Sequence, residues 1–140
     1  MERWLSRNIE TSSFLDLLSE VFMNDNLLIA RSVKKTINYI EKNIYNFPNE
    51  YKVLKERIIN SCYDILENVY RANLDQNICY KREVLVQIKM LNYYLKQALD
   101  KEIITKKKFL NYGNHLLEIH NMVNSWCGYE KSEQYISQDL

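Results

Sequence analysis

Tyr93 and Tyr94 stand beside Arg82, Lys89 and Lys96 in a chain of 140 residues, and this mixture of cations and phenols is the chemistry best able to act on a ligand. Ammonium and guanidinium groups neutralise phosphates, and a tyrosine ring offers a face on which a base can stack. The competing account is structural: Tyr94 packs between helices and the lysines keep the surface hydrated. The residues alone leave both open. A second basic cluster, Lys106, Lys107 and Lys108, opens the last apolar-periodic stretch. Cations at a helix N-terminus oppose the macrodipole by roughly a few tenths of a kcal/mol. A phosphate partner would offset that; a solvated lysine surface is the other explanation.

Other chemistries find little support. His115 and His120 are five residues apart, about 140° around a helix, so they do not share a face. Glu118 and Asp64 could join them in a bundle-core metal site, but di-iron bundles use paired Glu-x-x-His motifs. Here His115-x-x-Glu118 is reversed and alone, so no metal is expected, and His120 is expected to be partly buried and hydrogen-bonded. There is no GxSxG, P-loop, Gly-rich phosphate cradle or HExxH. Cys62 lies mid-helix among apolar neighbours, where a thiol is usually inert. No catalytic residue and no cofactor are expected, and the chain reads as a non-enzyme.

The elements that must position these residues are helices. Two glycines and one proline are too few for a hairpin-rich sheet. The central stretch is 47–73. Pro48 suits the first turn of a helix, Asn49 or its neighbours can cap it, and Leu54, Ile58, Ile65 and Val69 form one face with Ser61 and Cys62 in the gap. Before it, a helix from about Leu27 to Tyr45 carries the stripe Ile29, Val33, Ile37, Ile40, Ile44. After a break at Asn73, Asp75, Gln76 and Asn77, a third helix runs from about Tyr80 to Lys101 with Val84, Ile88, Leu91, Leu95 and Ala98 inward. Thr105 is a good cap for a fourth helix to about Trp126. Leu110, Leu117 and Met122 or Val123 are expected inward there, Gly113 allows close approach, and Gly128 is a C′ glycine. Four helices of similar length with short links predict an all-α, up-down-up-down four-helix bundle over 27–128.

Residues 1–26 are expected to form a helical extension, with Ser12 or Ser13 as cap and Phe14, Leu17, Leu18, Val21 and Phe22 as its apolar face. Trp4 and Leu5 show no clear pattern, and Asn24, Asp25 and Asn26 form a polar break. Residues 129–140 are expected to be a flexible acidic tail. Charge is unevenly placed. Residues 1–26 hold two basic and five acidic groups (−3), residues 130–140 one and three (−2), and residues 27–129 sixteen and ten (+6). The basic middle allows a polyanionic partner. Three cysteines without CxxC spacing point to a reducing compartment, with Cys62 and Cys127 as small core residues. The charged first residues argue against a signal peptide and no run is apolar for the roughly 18 residues of a membrane span, so a cytoplasmic protein with no membrane partner is expected.

With these helices in hand, the pattern resembles a known family: the four-helix bundles of the Avd type, the accessory variability determinant of diversity-generating retroelements. The matching residues are Phe47-Pro48, Leu54, Arg57-Ile58, Ile65-Leu66-Glu67-Asn68-Val69, Ala72-Asn73, Leu91 to Leu95 with Lys96, Leu117-Glu118-Ile119, Met122-Val123 and Trp126. The chain departs from the family pattern at His120, often glycine there, and at Asn124-Ser125-Trp126, often Gly-Gly-Trp or Gly-Ser-Trp. The third helix is poorer in arginine, with Asn92 and Tyr93 present. The resemblance implies a non-catalytic accessory protein that assembles as a homo-oligomer, a pentamer, and binds a reverse transcriptase and its template RNA or cDNA to support mutagenic reverse transcription. Together with the +6 middle it points to Arg31, Lys34, Lys35, Lys52, Lys55, Arg71, Lys81, Arg82, Lys89 and Lys96 as nucleic-acid or partner contacts. The alternative is a structural or protein-interaction bundle without a nucleic-acid role, like the sister group encoded in ribosomal RNA intervening sequences.

Overall fold

The computed structural model describes the backbone of residues 13–18 and 27–138, and the side chains of 13–18 and 27–128. Residues 13–18 are helical (α1). Four long helices follow: α2 (Leu28–Ile44), α3 (Lys52–Asp75), α4 (Ile78–Asp100) and α5 (Lys106–Gln138), with a 3-10 turn at Asn49–Tyr51 ahead of α3. The expectations for Trp4, Leu5, Ser12, Val21, Phe22 and the break at 24–26 lie outside the described residues. Within α1, Phe14 and Leu17 are exposed and Leu18 is half-buried.

The links decide the topology. Gln76 ends α3 in the left-handed conformation at φ 50°, its N–H bonded to the Ala72 carbonyl, and Asn77 caps α4 by accepting from the Cys79 N–H at 2.9 Å. Only these two residues separate α3 from α4, so the chain must fold back and the two helices pack along their lengths. The break is therefore shorter than Asn73 to Asn77. After α4, Glu102 takes φ 59° and the Ile103 N–H returns to the Ala98 carbonyl at 2.9 Å, a Schellman-like close. Thr105 then caps α5 by accepting from the Lys108 N–H at 3.2 Å. Between α2 and α3, Pro48 does not enter the first α-turn: at φ −56° and ψ 147° it precedes the 3-10 turn, and neither that turn nor α3 has a side-chain cap. Asn49 thus caps nothing; the Lys55 ammonium instead donates to the Tyr45 carbonyl across the link.

Contacts between helices fix their directions. Lys34 meets Tyr70 and Glu41 meets Tyr63, so α2 and α3 are antiparallel. Lys81 meets Trp126 while Asn92 lies across from Gly113, so α4 and α5 are antiparallel. The helices close a ring of neighbours α2–α3–α4–α5–α2. This is an all-helical, up-down-up-down four-helix bundle with a short helix before it.

Every residue in the expected stripes of α2, α3 and α4 is buried. On α5 the expectation was half a turn out. Leu110 and Leu117 are 54% and 56% exposed, while Tyr112, Leu116, Ile119, Val123 and Cys127 fill the core. Six residues separate Leu117 from Val123, a rotation of about 240°, so the two cannot share one face; Val123 carries the true phase. Gly128 is not a C′ glycine: it sits inside a helix that continues to Gln138. Among the described residues, no helix is long and apolar enough to cross a membrane.

Candidate nucleic-acid interface

The cation–phenol mixture lies on α4, and the helix arranges it in one stripe. Arg82, Lys89 and Lys96 recur every seven residues. Each heptad drifts about 20° on a straight helix, so the three point the same way over roughly 21 Å. Val86 and Tyr93 sit between them on the same solvent face, Tyr93 being 55% exposed. The Tyr93 hydroxyl accepts from Gln97 at 3.3 Å. Tyr94 is half-buried against the core, with its ring centroid 6.1 Å from that of Tyr93. The two tyrosines therefore divide the two accounts: Tyr94 serves the packing and Tyr93 faces water. Lys96 is engaged with Asp100 at 2.7 Å on the exposed surface, a contact of little worth that a phosphate can displace.

The other candidates fall elsewhere. Arg31 and Lys35 are exposed on α2, on the far side of the bundle from α4. Lys34 sits over the Tyr70 ring at 5.5 Å, and Arg71 pairs with Glu67 at 2.6 Å. Lys52 and Lys55 lie at the opposite end, by the α2–α3 link. Lys81 is not a surface contact. It is 1% exposed, with its ammonium 4.0 Å from the centroid of the Trp126 ring. A charge this deeply covered persists only with a partner that replaces water, and an indole face is such a partner. The ten cations thus form no single patch.

A feature that sequence reasoning missed adjoins the stripe. Between α4 and α5 runs a groove of about 300 Å³ lined by Ile88, Lys89, Asn92, Gly113, Leu116, Leu117 and His120. Gly113 does not bring backbones together, since a Cβ there would meet nothing within 4 Å; its missing side chain opens the groove. His120 is half-buried and bonded to Asn124 at 3.2 Å. His115 instead lies against Tyr39, ring centroids 5.0 Å apart. The available signal was the phase conflict on α5: a heptad pair, Leu110 and Leu117, that cannot share a face with Val123.

Titratable groups elsewhere are tuned by burial. Desolvation pushes the Cys62 thiol up to about 12, with Glu41 adding to it. It also pushes Tyr112 up to about 12, aided by Tyr39; the Tyr112 hydroxyl is buried with no hydrogen-bond partner. A hydrogen bond to Glu41 raises Tyr63. Among the described residues, no three His, Cys, Asp or Glu side chains gather to hold a metal ion.

A family model described as bAvd-like matches residues 27–130. That span begins at the start of the bundle and reaches past the Trp126 that covers Lys81. The chain belongs to the bAvd-like family. No curated protein matches it. Membership supports an accessory protein of the Avd type.

Proposed function

We propose that the protein is the non-catalytic adaptor of a diversity-generating retroelement. It assembles as a homo-oligomer, a pentamer, and binds a reverse transcriptase together with its template RNA or cDNA. The observation that carries this reading is the match of the bAvd-like family model over the bundle. The α4 stripe supports its nucleic-acid part: cations seven residues apart with an exposed tyrosine between them suit a single strand, whose phosphates they neutralise and whose bases stack on Tyr93.

The test is co-purification with the reverse transcriptase encoded nearest the gene, with and without its RNA, weighed by mass photometry. The expected result is one polymerase with several copies of this chain. An oligomer that ignores both polymerase and RNA overturns the reading and favours an interaction bundle without a nucleic-acid role.

A further inference from the structure

The molecule carries an apolar groove and, on the same chain, a helix with exposed apolar side chains. Ile88, Leu116 and Leu117 line the groove, and Gly113 leaves its floor open. In α1, Phe14, Leu15 and Leu17 are 58%, 59% and 52% exposed. Each surface alone would be unremarkable; scattered exposed leucines are ordinary. Together they are complementary in three respects.

The first is chemistry. Phe14 and Leu17 lie at helical spacing on one side of α1, a knob suited to a shallow apolar groove. The second is charge. Residues 1–26 carry −3 and the surrounding middle of the chain +6, with Lys89 on the groove's edge and Asp16 within α1. The third is reach. Tyr39 of α2 packs on Tyr112 of α5, so in antiparallel register Leu27 is level with about Asn124. The groove centre at Leu117 is then about seven residues further along α5, roughly 10 Å, and one helix over, roughly another 10 Å. Eight residues, 19–26, separate α1 from Leu27, and eight residues of chain span at most nearly 30 Å at about 3.3–3.6 Å each.

We infer that α1 docks in cis into the α4–α5 groove, seating Phe14 and Leu17 on Leu117 over the open floor at Gly113. Docking buries two apolar surfaces and places acidic groups against the α4 cations. The groove and the helix carry this inference without the nucleic-acid reading, so either can fail alone.

The experiment is disulfide trapping in the full chain. Cys79 is replaced by serine, since it is the exposed cysteine among Cys62, Cys79 and Cys127. Phe14→Cys is then paired either with Leu117→Cys or with Leu74→Cys. Leu74 is exposed near the end of α3, closer to Leu27 than the groove is, so a tethered but undocked helix reaches it at least as readily. The expected result is a disulfide within one chain forming at least tenfold faster to position 117 than to position 74. Adding Gly113→Leu should slow it tenfold; that change fills the floor, its Cβ meets nothing within 4 Å, leucine improves helix propensity, and an unchanged urea melt shows that the bundle still folds. Equal rates at the two positions, a disulfide joining two chains, or indifference to Gly113→Leu overturns the inference.

Discussion

Neutralising the α4 stripe should change how nucleic-acid binding responds to salt by a predictable amount. The perturbation is Arg82→Gln, Lys89→Gln and Lys96→Gln together. All three side chains are exposed, and Lys96 loses only a surface pair with Asp100, so folding stability should move by no more than about 0.5 kcal/mol. Each cation on a single-strand phosphate contributes about 0.7 to the slope of log K against log salt, so the triple variant should be shallower by about 2. The same relation at 0.15 M salt gives an affinity loss of roughly 50-fold. The assay is fluorescence anisotropy with a single-stranded RNA oligonucleotide between about 0.05 and 0.3 M salt. The comparison variant is Lys101→Gln, Lys106→Gln and Lys107→Gln, which removes the same charge from exposed positions around the α4–α5 link. It should keep most of the slope. If both triples lose the same slope, binding follows net charge and the stripe is not a site; if neither does, the phosphate reading is wrong.

Lys81→Gln should leave that slope unchanged, because the ammonium is covered by Trp126; it should instead lower stability by about 2 kcal/mol or more in urea melts, the worth of a desolvated cation–π contact. The corrected phase of α5 predicts that Leu116→Ala costs about 2–5 kcal/mol, while Leu117→Ala, on the exposed face, costs less than about 1 kcal/mol by the same melts. Thr105→Ala should cost about 1 kcal/mol through loss of the α5 cap. Native protein at pH 8 should take up a thiol-reactive probe at Cys79 and not at Cys62, whose thiol is pushed up to about 12. Cys62 and Tyr112 shape the alkaline limb of stability. Cys62 and Tyr112 hold their protons to about 12 in the fold, whereas the unfolded chain releases them near 9 and 10. Stability should therefore be level below pH 9 and fall as pH rises from there, which melts between pH 7 and 11 would show.

The helices α2, α3 and α4 were legible residue by residue, because aliphatic stripes at helical spacing report a buried face whatever the partner is. The α5 stripe was not, although Cys127 was expected inside: Tyr112, with its hydroxyl, is a weak sequence signal for an interior, and the louder leucines Leu110 and Leu117 point outward. Thr105 was legible as a cap, since its hydroxyl acts on its own helix. The approach to α3 was not: Pro48 fits a first α-turn by its φ, but the link from Ile44 winds a 3-10 turn first.

The candidate site divides in the same way. Arg82, Lys89, Tyr93 and Lys96 share a face because they share one helix, and the heptad spacing says so without any tertiary knowledge. Lys81, one residue from Arg82, has the same chemistry in sequence and the opposite fate in the fold. Its position was decided by Trp126, 45 residues away, which only packing brings over it. The groove is likewise a property of two helices at once, opened by a glycine that the sequence marks and a neighbour it does not. Sequence by itself determined the helices, their number and the α4 stripe, because these depend on interactions within a few turns of chain. Tertiary structure alone decided which cation is buried, which face of α5 is wet and where a groove opens, because each of these depends on what a second helix places opposite.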